Sequence, residues 1–471
     1  MKRIRGILLT LFCILSIVFL VAIYQLKILN YIYFGIVTGT ILLLTYLVVF
    51  MLLRGKKKSI SVIIFSIIGI ILSIVYSIGI SYVIHTKDFI SIITSHGNEY
   101  KTYQVIVPNT SPIQKIKELN NKKIGFLEID SSYQDSIDKL KKTVHIESNH
   151  YNSLDHLMDS LYKNEVDAVS IDKSYMETLM EHDKNFISKV KIIYSYKVYI
   201  KSVTNSIENP DIDTSNSFIL YISGSDSRST VRAVARSDVN IIAVVNPNTH
   251  KILLVHIPRD YYVHLRGTSG INDKLTHAGV YGIEKSIGTI EDLLSIHIDK
   301  YVKVSFATVI QSVDLLDGLD IYSDKSFTAW TNKSCHFVTG TQHVDGKCAL
   351  AFARERKSYD TGDRHRGENQ EQVISLLINK LSNPKYLIRY NDILNATSGS
   401  FETSMSYDEM TTLIRTGLGT NIKWTIDSYN LDGTAAMMPT YSMGSQRLYV
   451  MLPNQNTIDT AKVKINEYLN G

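Results

Sequence analysis

The sequence predicts a membrane-anchored α/β protein, in which three transmembrane helices precede two soluble α/β units. Three long apolar stretches lie within residues 1–85. From about residue 98 onward, short apolar runs that suit strands alternate with amphipathic stretches that suit helices, which is the pattern of an α/β fold. The chain has 471 residues, which is enough for the spans and for roughly two soluble domains.

The apolar stretches cover residues 7–25, 28–53 and 60–84, and each is long enough to cross a hydrocarbon core of about 30 Å. Basic residues cluster at positions 2–5 and 54–58, on the same side of the predicted bundle. Because such segments stay in the cytoplasm, we expect a multi-pass protein of the cell membrane with a cytoplasmic N-terminus and extracellular soluble domains. The inverted topology is the alternative.

Composition gives no support to a nucleic-acid-binding function. The chain has 50 Lys and Arg against 45 Asp and Glu, so its net charge is only +5, and part of that excess lies beside the membrane. Of its three cysteines, Cys13 lies in the first span, whereas Cys335 and Cys348 lie in the soluble part. In an extracellular domain these two could form a disulfide, although two cysteines alone do not establish a pair.

The soluble part divides at a polar segment, residues 206–216, that has the composition of a linker. A small α/β unit is predicted over residues 98–205, with a helix beginning at Ser111-Pro112. A larger domain is predicted over residues 217–471. Its predicted strands cover residues 218–222, 240–245, 252–257 and 349–353, and its predicted helices cover residues 282–296 and 367–381.

Polar clusters follow or precede the predicted strands of the larger domain. Ligands of open α/β sheets bind beyond the carboxyl ends of the strands, so these clusters are candidates for one site. They include Asp226, Arg236 with Asp238, Arg259 with Asp260, Arg354 with Arg356, and residues 362–370.

The residue types in these clusters suit a diphosphate. Arg354 and Arg356 would share one face of an extended segment, and the planar guanidinium fork matches phosphate oxygens. Arg236 and Arg259 could complete a cationic clamp. Asp226 and Asp238 would repel phosphate, but together they could hold a Mg²⁺ or Mn²⁺ ion that bridges to it.

Each residue also has a simpler interpretation, and the prediction depends on the whole set. A lone Arg-x-Arg is usually a surface pair, and a lone Asp after a strand usually caps a turn or a helix. His277 and His365 are expected to be hydrogen-bonded structural residues, since no His/Cys group has zinc spacing.

In order and spacing, these motifs resemble the LytR–CpsA–Psr family of Gram-positive bacteria. The resemblance covers about residues 218–381. It depends on segments 224–228, 236–238, 257–260 and 345–356, on Lys274 with His277 and Ala278, and on Asp363 to Gln370. It implies a central mixed sheet flanked by helices, with a C-terminal extension to residue 471. The three spans and the small unit, which resembles an accessory domain, are most similar to the capsule-associated CpsA branch of streptococci.

The resemblance implies a Mg²⁺-dependent phosphotransferase that moves a capsular or related glycan phosphate from an undecaprenyl-pyrophosphate carrier to peptidoglycan. It places Asp226 and Asp238 at metal positions. It places Arg236, Arg259, Arg354, Arg356 and Gln370 at the diphosphate, and Arg259, Arg354, Arg356 and Asp238 are the expected catalytic residues. Many members have Arg where this chain has Asn369, so a cationic contact there is either lost or supplied by Arg366.

Three questions stay open at the level of sequence. Asp238 and Asp260 are candidates for a general base by position only. A polyprenyl-pyrophosphate phosphatase, with water as the acceptor, would show the same residues. A membrane-bound regulator of capsule expression is a further alternative, although the predicted cytoplasmic segments are too short for a DNA-reading motif.

Overall fold

The structure is a computed structural model that describes residues 2–29, 31–54, 60–94, 99–200, 211–225, 232–360, 362–381, 401–418 and 424–471. Three long apolar helices come first: α1 (Lys2–Leu26), α2 (Tyr31–Arg54) and α3 (Ile60–Thr94). Each is long and apolar enough to cross a membrane. Helix α3 has 35 residues and so spans about 52 Å, which exceeds the hydrocarbon thickness.

The smaller soluble unit is a five-stranded sheet with its own helices. Its elements are β1 (Glu99–Pro108), β2 (Lys122–Leu127), α4 (Tyr133–Lys141), β3 (Ile146–Tyr151), α5 (Leu154–Tyr162), β4 (Ala168–Asp172), α6 (Tyr175–His182), α7 (Phe186–Lys189) and β5 (Val190–Ile200). The strand order is β3-β2-β4-β1-β5, in which β2 is parallel to β3 and β4, and β1 is antiparallel to its two neighbours. The helix predicted from Ser111-Pro112 is wrong, because only a single 3₁₀ turn forms, at Ile116–Leu119.

The first part of the larger unit contains both strands and helices. These elements are β6 (Phe218–Ser225), β7 (Ser237–Asn246), β8 (Lys251–His256), β9 (Tyr262–Val263), β10 (Asp273–Lys274), α8 (Leu275–Ala278), α9 (Ile283–Leu294), β11 (Lys300–Ser305), α10 (Phe306–Leu315), β12 (Leu319–Ser323), β13 (Phe327–Thr328), β14 (His336–Phe337), β15 (Gly340–Val344), α11 (Gly346–Ala353) and α12 (Asp363–Leu381).

The C-terminal part returns to the same sheet and adds a hairpin and a last helix. Its elements are β16 (Phe401–Thr403), α13 (Tyr407–Leu418), β17 (Thr425–Asn430), β18 (Gly433–Thr440), β19 (Gly444–Pro453) and α14 (Gln455–Asn470). The larger sheet has the order β16-β11-β6-β7-β8-β17, with β11 parallel to β6, β17 parallel to β8, and the other neighbours antiparallel.

Helices cover both faces of the larger sheet, so its central strands are almost wholly buried. On one face, Ile242 and Val244 of β7 share a core with Ile290 of α9 and Ile458 of α14. On the other face, a core around Ile241 includes side chains of α12 and α13. The expected mixed sheet flanked by helices is therefore confirmed.

The two soluble units are joined by hydrogen bonds near the start of α5. The Asp155 carboxylate accepts from the backbone nitrogen of Ser445 at 2.8 Å and from its hydroxyl at 2.6 Å. His277 of the larger unit is buried and hydrogen-bonded, as expected. It contacts Asp273 at 2.7 Å, and it reaches Thr178 of α6 at 3.3 Å. Helix α6 is therefore held against the larger unit.

The strand predicted over residues 349–353 is wrong, because these residues complete helix α11. The Asp345 side chain caps this helix by accepting from the backbone nitrogen of Cys348 at 2.8 Å. Arg354 consequently follows a helix and has helical backbone angles, so the extended Arg354–Arg356 segment expected from sequence does not form.

Candidate functional site

The candidate site lies at one edge of the larger sheet. Strands β6 and β8 run in the same direction with β7 antiparallel between them, so the ends of β6 and β8 and the start of β7 meet there. Strand β11 is parallel to β6 and ends at the same edge. This topology brings Arg236 and Asp238, beside the start of β7, next to Arg259, which follows β8.

A cavity of about 360 Å³ opens at this edge and is lined by most of the site residues predicted from sequence. Of the predicted set, it is lined by Arg236, Asp238, Arg259, Arg354, Arg356 and Gln370. Asp226, the other predicted metal ligand, lies outside the described residues. Arg366, the candidate replacement for the cation missing at Asn369, also lines the cavity.

Glu355 fixes the segment that carries Arg354 and Arg356. Its buried carboxylate accepts from the backbone nitrogens of Arg356, Lys357 and Ser358 at 2.8–3.1 Å. Its second oxygen accepts from the backbone nitrogen of Trp330 at 2.6 Å. These bonds turn the chain tightly after α11, so that both flanking arginines reach the cavity.

Asn369 has a structural role in this chain. Its amide donates to the backbone oxygen of Phe352 at 3.1 Å, and its side chain is buried. It therefore ties α12 to the end of α11, directly before Arg354.

Arg259 is held by carboxylates on two sides. It donates to Asp238 at 2.6 Å, and its Nε lies 3.6 Å from Asp260. Burial alone would raise the pKa of each carboxyl, but Arg259 and its cationic neighbours keep both below the ordinary range. Asp238 and Asp260 are therefore ionised at neutral pH and hold the guanidinium in place.

Arg236 lies deeper than Arg259, with a side chain that is only 5% exposed. Burial lowers its pKa to about 10, while the nearby Asp238 opposes this shift. Arg236 therefore stays cationic at neutral pH.

Carboxylates of the smaller unit reach into the same cluster, which sequence reasoning missed. Glu181 of α6 accepts from Arg236 at 3.1 Å, from Arg259 at 3.2 Å and from Lys274 at 2.5 Å. Glu177, one turn earlier, pairs with Arg236. Lys274 belongs to a sequence motif, but its role in the cluster was not predicted. The two glutamates carry no comparable sequence signal, because they lie on a helix of the other unit.

An apolar cavity of about 70 Å³ adjoins the cationic one. The two cavities share Phe306, Arg354 and Gln370. The Arg354 guanidinium lies 4.7 Å from the centre of the Phe306 ring, at the boundary between them. Side chains and backbone of β6, β7, β11, α10, α11 and α12 form the remaining wall: Ile222, Gly224, Val239, Val304, Ser305, Val309, Leu350, Ala353, Val373 and Ile374.

The donor chemistry at the edge of the sheet suits a hard divalent cation. Asp238 offers an ionised carboxylate, which is the type of ligand that Mg²⁺ prefers. Within the part of the chain that the structure describes, no group of three His, Cys, Asp or Glu side chains forms a ready metal cage. A site here would therefore use few protein ligands and leave positions for phosphate oxygens.

Comparison with known proteins identifies related cell-wall enzymes. The chain is 33% identical over 208 residues to the polyisoprenyl-teichoic acid–peptidoglycan teichoic acid transferase TagU of Bacillus mycoides. This match covers 44% of the chain and 66% of the relative, which is just under two thirds of its length. The TagU protein of Bacillus anthracis is 31% identical over 234 residues, covering 46% of the chain and 75% of the relative.

Among solved structures, the crystal structure of TagV from B. subtilis is 26% identical, with a TM-score of 0.46, and covers 54% of this chain and 98% of that one. The model of the LytR_cpsA_psr family matches residues 169–462, which include every predicted site residue and all of helix α6. Because this match covers more than half of the 471 residues, the chain belongs to the LytR_cpsA_psr family.

Proposed function

We propose that this chain is a membrane-anchored, extracytoplasmic phosphotransferase that moves a glycan phosphate from an undecaprenyl-pyrophosphate carrier to peptidoglycan. The proposed cargo is capsular polysaccharide or a related glycan. Family membership and the transferase activity for which the TagU relatives are named support the class of reaction.

The observation that carries the proposal is the junction between the two cavities. A polyprenyl diphosphate has an anionic head joined directly to an apolar chain. The cationic cavity meets the apolar one at Phe306, Arg354 and Gln370, so a single molecule could place its diphosphate among the arginines and its first isoprene units beyond them. A soluble nucleotide would leave the apolar part unused.

The reaction follows from this placement. A hydroxyl of peptidoglycan attacks the phosphorus attached to the sugar, the bond from that phosphorus to the bridging oxygen breaks, and prenyl phosphate leaves. Arg259, Arg354 and Arg356 would stabilise the charge that develops on the phosphate oxygens, with Arg236 and Gln370 as further contacts. Their fixed positions mean that little rearrangement is needed at the moment of reaction.

The contacts of Asp238 and Asp260 suit positioning roles better than proton abstraction. Because cations lower the pKa of both carboxyls, each is a weak base at neutral pH. We therefore assign Asp238 to the orientation of Arg259 and to metal binding, and Asp260 to the orientation of Arg259 and Lys274.

Asp226 and Asp238 are the proposed ligands of Mg²⁺, with Mn²⁺ as the alternative. Bound there, the cation would add positive charge beside the diphosphate and help the prenyl phosphate to leave. The ionised state of Asp238 supports this assignment.

The membrane helices support an extracytoplasmic site. Basic residues at positions 2–5 and 54–58 favour a cytoplasmic N-terminus, which places the body of the chain outside. The proposed carrier lies in the same membrane, so the anchor would keep the enzyme at the surface where its substrate arrives.

Two alternatives share parts of this picture. A phosphatase would use the same residues with water as the acceptor. A regulator of capsule expression would need the short cytoplasmic segments to bind DNA specifically. The cationic cavity with an apolar cavity beside it favours an enzyme that acts on a lipid diphosphate over a regulator. The fate of the phosphate distinguishes a transferase from a phosphatase.

The decisive assay incubates the full-length protein in liposomes with lipid-linked glycan, Mg²⁺ and peptidoglycan. We expect Arg259→Ala and Arg354→Ala each to reduce transfer about 100-fold or more, because each removes a charge that faces the phosphates. Arg266→Ala is the matched control, since Arg266 pairs with Glu291 and Asp292 away from the cavity.

Transfer by the Arg259 and Arg354 variants at the rate of the control would refute the site. Prenyl phosphate released without a wall-bound product would favour the phosphatase.

A further inference from the structure

Two carboxylates of helix α6 occupy donors that the proposed substrate needs. Glu181 accepts from Arg236, Arg259 and Lys274 at 2.5–3.2 Å, and Glu177 pairs with Arg236. The two glutamates are four residues apart, so they project from the same face of the helix. They present two negative charges side by side, as the two phosphoryl groups of a diphosphate diester do.

The glutamates lie on the solvent side of the cations. The side chains of Arg236, Arg259 and Lys274 are only 5%, 11% and 2% exposed, whereas those of Glu177 and Glu181 are 41% and 29% exposed. An anion that enters from solvent therefore meets these carboxylates before it reaches the buried cations.

The backbone of α6 is fixed, and its partly exposed side chains at the cavity are Glu177, Met180 and Glu181. Tyr175, Met176 and Leu179 are buried in a core that also contains Met443 and Leu448 of the larger unit. The helix as a whole therefore has no free path away from the site. A glutamate side chain, by contrast, has three rotatable bonds and can withdraw into solvent without unpacking the helix.

We propose that Glu177 and Glu181 determine which anions occupy the diphosphate site, by competing for Arg236, Arg259 and Lys274. This inference rests on the proposed function and deepens it. A carboxylate and a phosphate oxygen compete for the same guanidinium N–H groups and repel each other, so a substrate that uses these donors displaces the glutamates.

The competition favours long lipid-linked substrates over small anions. The apparent affinity of any ligand falls by the fraction of molecules in which the site is open. A polyprenyl diphosphate can offset this penalty through its apolar chain, which gains from burial in the adjoining cavity. Inorganic phosphate and pyrophosphate have no such contribution, so they occupy the site less than a lipid-linked diphosphate does at the same concentration. Between turnovers the glutamates also keep the buried cations paired.

The test measures binding of inorganic pyrophosphate and of geranylgeranyl pyrophosphate to the full-length protein in detergent with Mg²⁺. We expect Glu181→Gln to bind inorganic pyrophosphate about tenfold more tightly than wild type, and Glu177→Gln/Glu181→Gln more tightly still. The gain should be of similar size for geranylgeranyl pyrophosphate, because the glutamates lower the apparent affinity of both ligands by the same fraction. Glu165→Gln, an exposed glutamate of the same unit, is the matched control and should bind as wild type does.

The direction of the change decides the proposal. Weaker or unchanged pyrophosphate binding by the Glu181 variant would overturn the proposal. If Glu181 were a metal ligand, a positioning residue or a purely structural residue, its neutralisation would not tighten the binding of pyrophosphate. Arg259→Ala is measured in parallel. If Arg259→Ala binds pyrophosphate as well as wild type does, the diphosphate site itself is wrong. If Arg259→Ala weakens pyrophosphate binding but the glutamate variants do not tighten it, the diphosphate site is supported and the proposed competition is wrong.

Discussion

At the scale of single residues, Arg259 is the centre of the site because three elements contribute its partners. It donates to Asp238 beside the start of β7 and to Glu181 of α6, and it lies beside Asp260 in its own loop. Asp238 and Asp260 hold the guanidinium in one orientation, and they stay in place when the substrate displaces Glu181. A preorganised cation of this kind stabilises developing charge better than one that must first reorient.

Sequence reasoning could predict the arginines but not their acidic partners. Arg236 and Arg259 occur in short motifs beside strand ends that the topology of the sheet brings together, whereas Arg354 and Arg356 follow helix α11. Glu181 lies on a helix of the other unit, and its contact depends on how two separate sheets pack. No local pattern encodes such a contact.

Glu371 gives a prediction about stability and pH. Its side chain is buried on α12, and burial raises its pKa to about 7, although hydrogen bonds from Ser428 and Asn430 oppose the shift. Because the folded-state pKa lies above the unfolded one, this group favours folding below about pH 4.5. Its contribution is lost as the pH rises through about 7. Replacement by Gln should therefore stabilise the protein at pH 8, by up to about 3 kcal/mol, and have little effect at pH 4.5.

Thermal unfolding of the detergent-solubilised protein at the two pH values measures this difference. Glu165→Gln, at an exposed position, serves as the control. If Glu371→Gln were equally stabilising at both pH values, titration of Glu371 would not be the cause.

At the scale of elements, helix α11 shows where local prediction failed and why. Residues 349–353 are a short apolar run, and such a run fits a buried strand or a buried helix equally well. The signals that separate the two were present, since Asp345 is a good N-cap and three of the five residues are Ala, the strongest helix former. The error changed the expected geometry of Arg354 but not its location in the site.

The disulfide between Cys335 and Cys348 fastens the rim of the site to α11. Sequence left this pair open, and the structure joins it with a Cα–Cα distance of 5.3 Å across a separation of 13 residues. The closed loop includes β14 and β15 and begins a few residues after Trp330, which lines the cavity. We expect replacement of both cysteines by Ala to lower the free energy of unfolding by about 3 kcal/mol, as for other loops of this length.

The same bond tests which side of the membrane the soluble part occupies, because disulfides persist in oxidising compartments. Protein extracted from cells in the presence of an alkylating reagent should be modified at Cys13 alone once denatured, and at all three cysteines only after reduction. Alkylation of Cys335 and Cys348 without reduction would argue for a cytoplasmic, reducing location.

At the scale of the whole molecule, α3 links the bundle of apolar helices to the larger sheet by packing against it. The helix runs to Thr94, and its last turns bury Ile90 and Ile93. It packs against β16 and α13 of the larger unit. The larger sheet is therefore attached directly to the bundle of apolar helices, which would suit the proposed substrate, because its lipid end stays in the membrane.

Sequence predicted the parts of this molecule better than their arrangement. The apolar stretches, the central strands of the larger sheet and the helices beside it follow from hydrophobic patterns, which are local. The packing of the smaller unit against the larger one depends on contacts such as those of Asp155 with Ser445, which lie 290 residues apart. Such pairings are decided by tertiary structure, so the composition of the site could be predicted only in part.

The fate of one phosphorus atom tests the central claim most directly. Full-length protein in liposomes receives Mg²⁺, peptidoglycan and a lipid-linked glycan that carries ³²P at the phosphorus attached to the sugar. We predict that the label becomes covalently bound to peptidoglycan together with the glycan, while unlabelled polyprenyl phosphate is released, and that Arg259→Ala abolishes both. Label recovered in soluble glycan phosphate, or retained on the lipid in the wild-type protein, would contradict a transferase.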